Sequence, residues 1–205
     1  MAFDQDGNVY LSTQGFRSPK LISVYNSKGE KIQQIGELEG DAIKGYNFLL
    51  IKKQIKQKKI PEYFKNDLLL IVHKNNVLWA VHRSIDKFKK FSLKDELISE
   101  YQIKAKEYQS IYQAFLEKNK SEKRQSAYWP LYYVNDLALD ERGNLYILLN
   151  EPSIMTIYVY DRKGRFIQKL IGVKDNIYRI ALSEKGYLYA LSRETQYIYK
   201  FQLDL

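Results

Sequence analysis

One short phrase recurs four times in this chain, and its recurrence limits the fold more than any other feature. An acidic or polar residue and two spacers lead to Gly or Asn, with an apolar residue and an aromatic close behind. It reads Asp4-Gln5-Asp6-Gly7-Asn8-Val9-Tyr10, then His73-Lys74-Asn75-Asn76-Val77-Leu78-Trp79. It returns as Asp140-Glu141-Arg142-Gly143-Asn144-Leu145-Tyr146 and, more loosely, as Ser183-Glu184-Lys185-Gly186-Tyr187-Leu188-Tyr189. Gly or Asn tolerates the positive φ of a tight hairpin, and the alternation that follows is that of a strand. The turn carboxylates Asp4, Asp140 and Asp161 hold equivalent places, so they are expected to cap their own turns and not to act as metal ligands or as an acid/base pair.

Each phrase is followed by a second run of period two and another polar turn, as in Ile157-Tyr158-Val159-Tyr160-Asp161-Arg162-Lys163-Gly164-Arg165-Phe166-Ile167. Four strands per unit, joined as an antiparallel meander, follow from this pattern. One such sheet cannot bury both faces, and packing the units face to face around an axis solves the problem, which is the β-propeller. An ordinary β-sandwich is the plainer alternative. The expected fold class is all-β, a propeller of four-stranded blades with two helical insertions, in a single domain over 1–205. Blades are expected near 1–40, 66–101, 131–173 and 174–205.

The insertions come from spacing. Tyr10 to Trp79 is 69 residues, Trp79 to Tyr146 is 67, and Tyr146 to Tyr189 is 43. Only the last suits a blade of about 40 to 45 residues, so 41–65 and 102–130 are surplus. Both switch to helical period: Tyr108, Ile111, Tyr112 and Phe115 form one stripe, and Phe48, Ile51 and Ile55 a shorter one that Pro61 is expected to end. Each insertion joins the last strand of one blade to the first of the next. It should therefore emerge beside the loops between second and third strands.

The residues "DQDGNVYLS…LISVYNSKGEKIQQIG" and "DLALDERGNLYIL…IYVYDRKGRFIQKLIG" resemble blades of the bacterial six-bladed propellers of the NHL and TolB-like kind. That resemblance implies architecture and an extracytoplasmic setting, periplasmic or cell-surface, and it is nearly silent about activity. The final unit shows only three strands before the chain stops. The simplest expectation is the C-terminal four blades of a longer six-bladed protein; a four-bladed ring, or a partial ring that self-associates, is the alternative.

Composition excludes some chemistry and locates the charge. There is no cysteine, hence no disulfide, thiolate nucleophile or Cys-based metal site. No apolar run is long enough for a membrane span, and the first residues are not a signal peptide. No HExxH, GxSxG or phosphate-binding glycine loop occurs. The two histidines, His73 and His82, lie in the second unit; His73 stands where other repeats have Asp, a structural place. No catalytic residue, cofactor or metal ligand is assigned. Residues 41–65 hold seven Lys against Asp41 and Glu62, a net +5, and 102–130 hold a net +3, together +8 of the formal +9. The stretch Tyr128-Trp129-Pro130-Leu131-Tyr132-Tyr133 is the densest aromatic cluster.

The expected function is therefore a non-catalytic binding or assembly scaffold. It would present a basic, aromatic-containing face to an acidic partner, a protein above all. Candidate contact residues are Phe16, Arg17, Lys52, Lys53, Lys56, Lys58, His82, Arg83, Tyr128, Trp129, Tyr132, Asn150, Glu151, Arg193 and Glu194. A lactonase-like hydrolase using the central channel is the enzymatic alternative, and a binder of anionic glycans or nucleic acid a third. Lysine outnumbers arginine in both insertions, which disfavours nucleic acid.

Overall fold

The computed structural model describes residues 1–124 and 126–203. They form four separate antiparallel sheets, each a meander in chain order. The first is β1 (Ala2–Phe3), β2 (Val9–Ser12), β3 (Lys20–Tyr25) and β4 (Lys31–Glu37). After helices α1 (Phe48–Lys56) and α2 (Glu62–Lys65) comes the second: β5 (Leu68–His73), β6 (Val77–His82), β7 (Lys87–Ser92) and β8 (Leu97–Gln102). Helix α3 (Tyr108–Ser121) precedes the third, β9 (Val134–Leu139), β10 (Leu145–Leu149), β11 (Thr156–Tyr160) and β12 (Phe166–Ile171). The fourth, among the described residues, has three strands: β13 (Ile177–Leu182), β14 (Tyr187–Ser192) and β15 (Ile198–Gln202). The fold is a β-propeller of such blades, and Tyr10, Trp79, Tyr146 and Tyr189 lie on the second strand of each of the four sheets.

The chain divides into two compact units, Met1–Tyr132 and Tyr133–Leu205. In the first, Tyr10, Ile22 and Val24 of one blade share a buried cluster with Leu68, Leu70, Leu78, Ala80 and Phe91 of the next. The second unit repeats the scheme: Tyr146, Ile157 and Val159 share a cluster with Ile180, Leu188 and Ala190. The second-strand aromatic of one blade thus shares a cluster with a Leu and an Ala, two apart, on the second strand of its successor. Alternation explains why, since residues two apart on a strand share a face.

The hairpin carboxylates are used up by their own turns. Oδ1 of Asp4 accepts from the Asp6 and Asn8 amides, and Oδ2 accepts from Asn8 Nδ2 and the Tyr10 hydroxyl, the latter at 2.9 Å. Asp140 accepts from the Arg142 and Asn144 amides and from Asn144 Nδ2, and Asp161 from the Lys163 and Arg165 amides and from Arg165 Nε. Even His73 follows the scheme, its Nδ1 accepting from the Asn75 amide at 3.3 Å. Where the second blade lacks glycine at these turns, Asn76 (φ 59°) and Asp95 (φ 71°) take up the left-handed conformation.

Both surplus segments carry helices. α1 starts at Asn47, whose side chain accepts from the Leu50 amide, and buries Ile51 and Ile55. It stops at Lys56, before Pro61: Lys58 adopts φ 56°, and its amide reaches back to the Ile55 carbonyl at 2.9 Å. Pro61 opens α2 and does not end α1, because its fixed φ suits a helix start and the missing N–H is not needed there. In α3 the stripe Tyr108, Ile111 and Phe115 is buried, with Tyr112 half-buried beside it.

Candidate functional site

In the first unit the first insertion is tied to the loop between β2 and β3. The Arg17 amide donates to the Ile43 carbonyl at 2.9 Å, and the Ile43 amide to the Gly15 carbonyl at 2.8 Å. Phe16 and Arg17 are both exposed there, with the guanidinium 5.3 Å from the ring centre of its neighbour.

The two insertions are joined to each other by aromatic side chains. Tyr46 meets Tyr63 at 4.3 Å and Phe48 at 5.0 Å between ring centres; Phe64 meets Tyr128 at 5.4 Å and Phe115 at 6.2 Å. The hydroxyls of Tyr46 and Tyr128 share a hydrogen bond of 2.5 Å. Burial, helped by the bond to Tyr46, holds the Tyr128 hydroxyl well above the ordinary phenol range and pushes Tyr63 up to about 12. Both stay protonated. Lys52 donates from Nζ to the Arg124 carbonyl, crossing from α1 to the end of the second insertion.

Around this framework stand the side chains free to meet a partner. Lys53, Lys56 and Lys58 are exposed. Trp129 is 49% exposed, although its backbone is clamped by Asn119, which accepts from its amide at 2.9 Å and donates to its carbonyl at 3.0 Å. Lys118 Nζ lies 6.0 Å from its ring. Tyr128 and Trp129 thus divide two roles, the first knitting the insertions together and the second facing outward.

His82 requires a correction. It ends β6 with 0% exposure, and its Nδ1 lies 2.7 Å from the Lys65 carbonyl, so it supports the second helical turn from inside and offers nothing to a partner. Burial pushes its imidazole down to about 4, which keeps it neutral. Its neighbour Arg83 is half-exposed, with the guanidinium 3.7 Å from the Tyr132 ring centre and Nη1 3.6 Å from Asp67 Oδ2. Gln14 Nε2 donates to Asp67 Oδ1 at 3.3 Å. Burial raises the Asp67 carboxyl above the ordinary range, partly opposed by Arg83 and Gln14.

The four remaining candidates lie in the second unit, as two pairs at the ends of β10 and β14. The Asn150 amide donates to the Tyr133 carbonyl at 2.8 Å, and Glu151 Oε2 accepts from Thr156 at 2.5 Å. Arg193 lies 5.4 Å from the Tyr178 ring centre, and Glu194 accepts from Asn176 at 3.3 Å. Beside them Asp175 accepts from the Asn176 amide, Thr195 and the Tyr199 hydroxyl.

Sequence reasoning missed Gln14, Tyr46, Tyr63, Phe64, Asp67 and Asp175. The only signal for Tyr46 was its position before the helix-capping Asn47, and Asp67 and Gln14 carried none; Phe48, read as part of the helical stripe, is exposed at the start of α1. Among the described residues, no three His, Asp or Glu side chains converge as a metal-binding group, and no helix is long and apolar enough to cross a membrane.

No protein-family model matches the chain, and no curated protein does. Solved structures do resemble it. A streptogramin B lyase structure aligns with 99% of this chain and 53% of its own length at 12% identity and a TM-score of 0.51. The β-propeller domain of Cps50 (Swd1) from Myceliophteria thermophila aligns with 99% and 53% at 13% identity and 0.54. A catalytically inactive virginiamycin B lyase from Staphylococcus aureus with quinupristin aligns with 99% and 54% at 11% identity and 0.52. The chain spans about half the length of these structures. At such identities the likeness establishes the propeller fold alone.

Proposed function

We propose that this chain is a non-catalytic scaffold that binds an acidic partner, a protein first of all, through the surface built by its two insertions. The observation that carries this reading is a division of labour within one aromatic and basic layer. Tyr46, Tyr63, Phe64, Phe115 and Tyr128 hold the layer rigid, while Trp129, Lys53, Lys56 and Lys58 remain exposed. A rigid platform with an exposed Trp among cations suits a contact in which charge speeds encounter and the aromatic slows release. The repeated carboxylates support a role without catalysis, because their acceptor positions are filled by turn amides. Kinship with bacterial six-bladed NHL and TolB-like propellers, and an extracytoplasmic setting, belong to the same proposal and rest on the repeat phrases.

Surface-plasmon measurements against an isolated partner test it. Charge reversal at Lys52, Lys53, Lys56 and Lys58 should slow association and flatten its salt dependence, whereas Trp129→Ala should mainly speed dissociation. Reversal at Lys28, in the turn between β3 and β4, and at Lys31, where β4 begins, is the control. Equal losses from both sets would end the reading.

A second reading has one observation in its favour. A half-buried carboxyl with a raised pKa beside Arg83 and Tyr132 makes Asp67 the best placed acid or base for a hydrolase or lyase. Turnover of a lactone that is lost in Asp67→Asn while the fold is kept would favour it over the scaffold.

A further inference from the structure

The segment preceding and opening α1 carries, beside the lysines of the acidic-partner reading, exposed apolar side chains that this reading does not use. From 42 to 61 the chain holds six Lys and no acidic residue. Within it Tyr46, Phe48, Leu49 and Leu50 are all exposed, Leu49 at 74%. At 3.6 residues per turn, Leu49, Lys53 and Lys56 fall on the face of α1 opposite the buried Ile51 and Ile55. The outward face of this helix is thus a leucine followed by cations. Its base is fixed by the ring contacts of Tyr46 and Phe48 with Tyr63 and Tyr128.

We propose that the loop and helix spanning 44–56 seat the chain on an anionic lipid surface. Leu49 and Leu50 enter the boundary between headgroups and acyl chains, and Lys44, Lys53 and Lys56 meet lipid phosphates and carboxylates behind them. Projecting apolar side chains collared by charges of one sign are what an interfacial element needs. Tyr46 and Phe48 add rings at the depth where amphipathic aromatics settle. For the two leucines a protein is the weaker occupant, because it would need a cavity shaped to both side chains. A bilayer asks for no shape match. The inference goes beyond the acidic-partner reading and does not require Trp129.

Cosedimentation of the 205-residue chain with vesicles tests it. The chain should pellet with phosphatidylcholine vesicles containing about a third phosphatidylserine and stay in solution with phosphatidylcholine alone. Leu49→Ser with Leu50→Ser should lower the partition coefficient about tenfold or more. The same variant should keep its salt-dependent retention on immobilised polyglutamate, whereas Lys53→Glu with Lys56→Glu should weaken both. In the unaltered chain, hydrogen exchange on vesicles should slow in 44–56. Failure to pellet with anionic vesicles, pelleting unaffected by the leucine changes, or protection confined to other segments would overturn the lipid inference. If polyglutamate retention survives those failures, the acidic-partner reading stands and its partner is a polypeptide. Loss of retention as well would remove both.

Discussion

The Lys89 ammonium, on a residue only 5% exposed, lies 2.6 Å from the carboxylate of Glu39, joining β7 of the second blade to the segment that leaves β4 of the first. Lys87 approaches the other Glu39 oxygen at 3.0 Å, and Glu100 lies 3.0 Å from Lys87 and 3.5 Å from Lys89. The Glu39 backbone is itself held by the buried Asn66 side chain, which accepts from its amide at 2.8 Å and donates to its carbonyl at 3.3 Å. A cation removed from water inside a sheet packing is tolerated only because its partner is this well placed. Removing one member therefore costs more than the pair itself contributes.

Glu39→Gln should destabilise the first unit by about 2–3 kcal/mol, since Lys89 is left with its longer contact to Glu100. Burial pushes the carboxyl up, but the bonds and charges of Lys89 and Lys87 outweigh it and hold it at about 2 against an ordinary 4.5. A carboxyl lowered in the folded state contributes stability that is complete above its unfolded value and lost as pH falls towards the folded one. The window is thus from about 4.5 down to 2. Melting curves across that range should show a steep loss in the parent chain and a flatter one in Glu39→Gln. Parallel curves would deny the pair its role.

His82 acts in a different window. Its imidazole stands at about 4 when folded and 6.5 when free, so the unfolded chain binds the extra proton first and stability falls as pH drops from 6.5 towards 4. His82→Asn keeps a donor for the Lys65 carbonyl but loses volume. It should lower stability at neutral pH by about 1–3 kcal/mol and remove most of the slope in this window. Denaturant titrations at two pH values inside it and one above it would show whether the slope persists.

Two turns of one design offer a graded comparison. Asp4 and Asp140 each accept from two amides and an Asn side chain, and Asp4 accepts from a tyrosine hydroxyl as well. Asp140→Ala should cost about 1–2 kcal/mol, and Asp4→Ala about one hydrogen bond more. A double-mutant cycle with Tyr10→Phe should return that difference as a coupling of about 0.5–1.5 kcal/mol. Zero coupling would mean the hydroxyl bond carries no net stability.

Gly36 lies where the first blade meets the second. Its φ is 74°, and a Cβ there would come within 2.9 Å of the Phe91 ring. Gly36→Ala combines backbone strain with overpacking and should cost about 2–4 kcal/mol. Gly29 has the similar φ of 80° but nothing within 4 Å, so Gly29→Ala should cost only about 1 kcal/mol. Chemical denaturation of the two variants side by side separates strain from collision.

What could be read from the sequence was local or periodic. The turn phrases announced Asp4, Asp140 and Asp161 as caps because donor and acceptor lie within a few residues. The position of Tyr10, Trp79, Tyr146 and Tyr189 on second strands followed from repetition. Helical stripes marked both insertions, but the end of α1 was misplaced because Pro61 suits a helix start as well as a stop. Lys89 shows where such reading fails. In Phe88-Lys89-Lys90-Phe91 both lysines look like a wet face, yet Lys89 is buried and Lys90 is not. The choice depends on Glu39, fifty residues earlier, and no period encodes that pairing. Arg83 with Tyr132, and Asp67 with Gln14, escaped for the same reason, and His82 stood among the expected contact residues although the fold closes over it.

The turn caps have a consequence for how such a chain can grow or shrink. Each lies within a single hairpin, so copying or deleting a blade's worth of gene carries its complete set along. The bonds from Glu39 to Lys89, from Asn66 to Glu39, and from the Gly36 amide to Asp95 span two blades and exist only for that pair. A duplicated second blade would inherit its hairpins intact but would meet no second Glu39. Recombination at the boundary between these two blades is therefore closed, and the third and fourth are bound in the same way by Asp136, which accepts from Arg179 and from the Ile180 amide, so each pair must be inherited together.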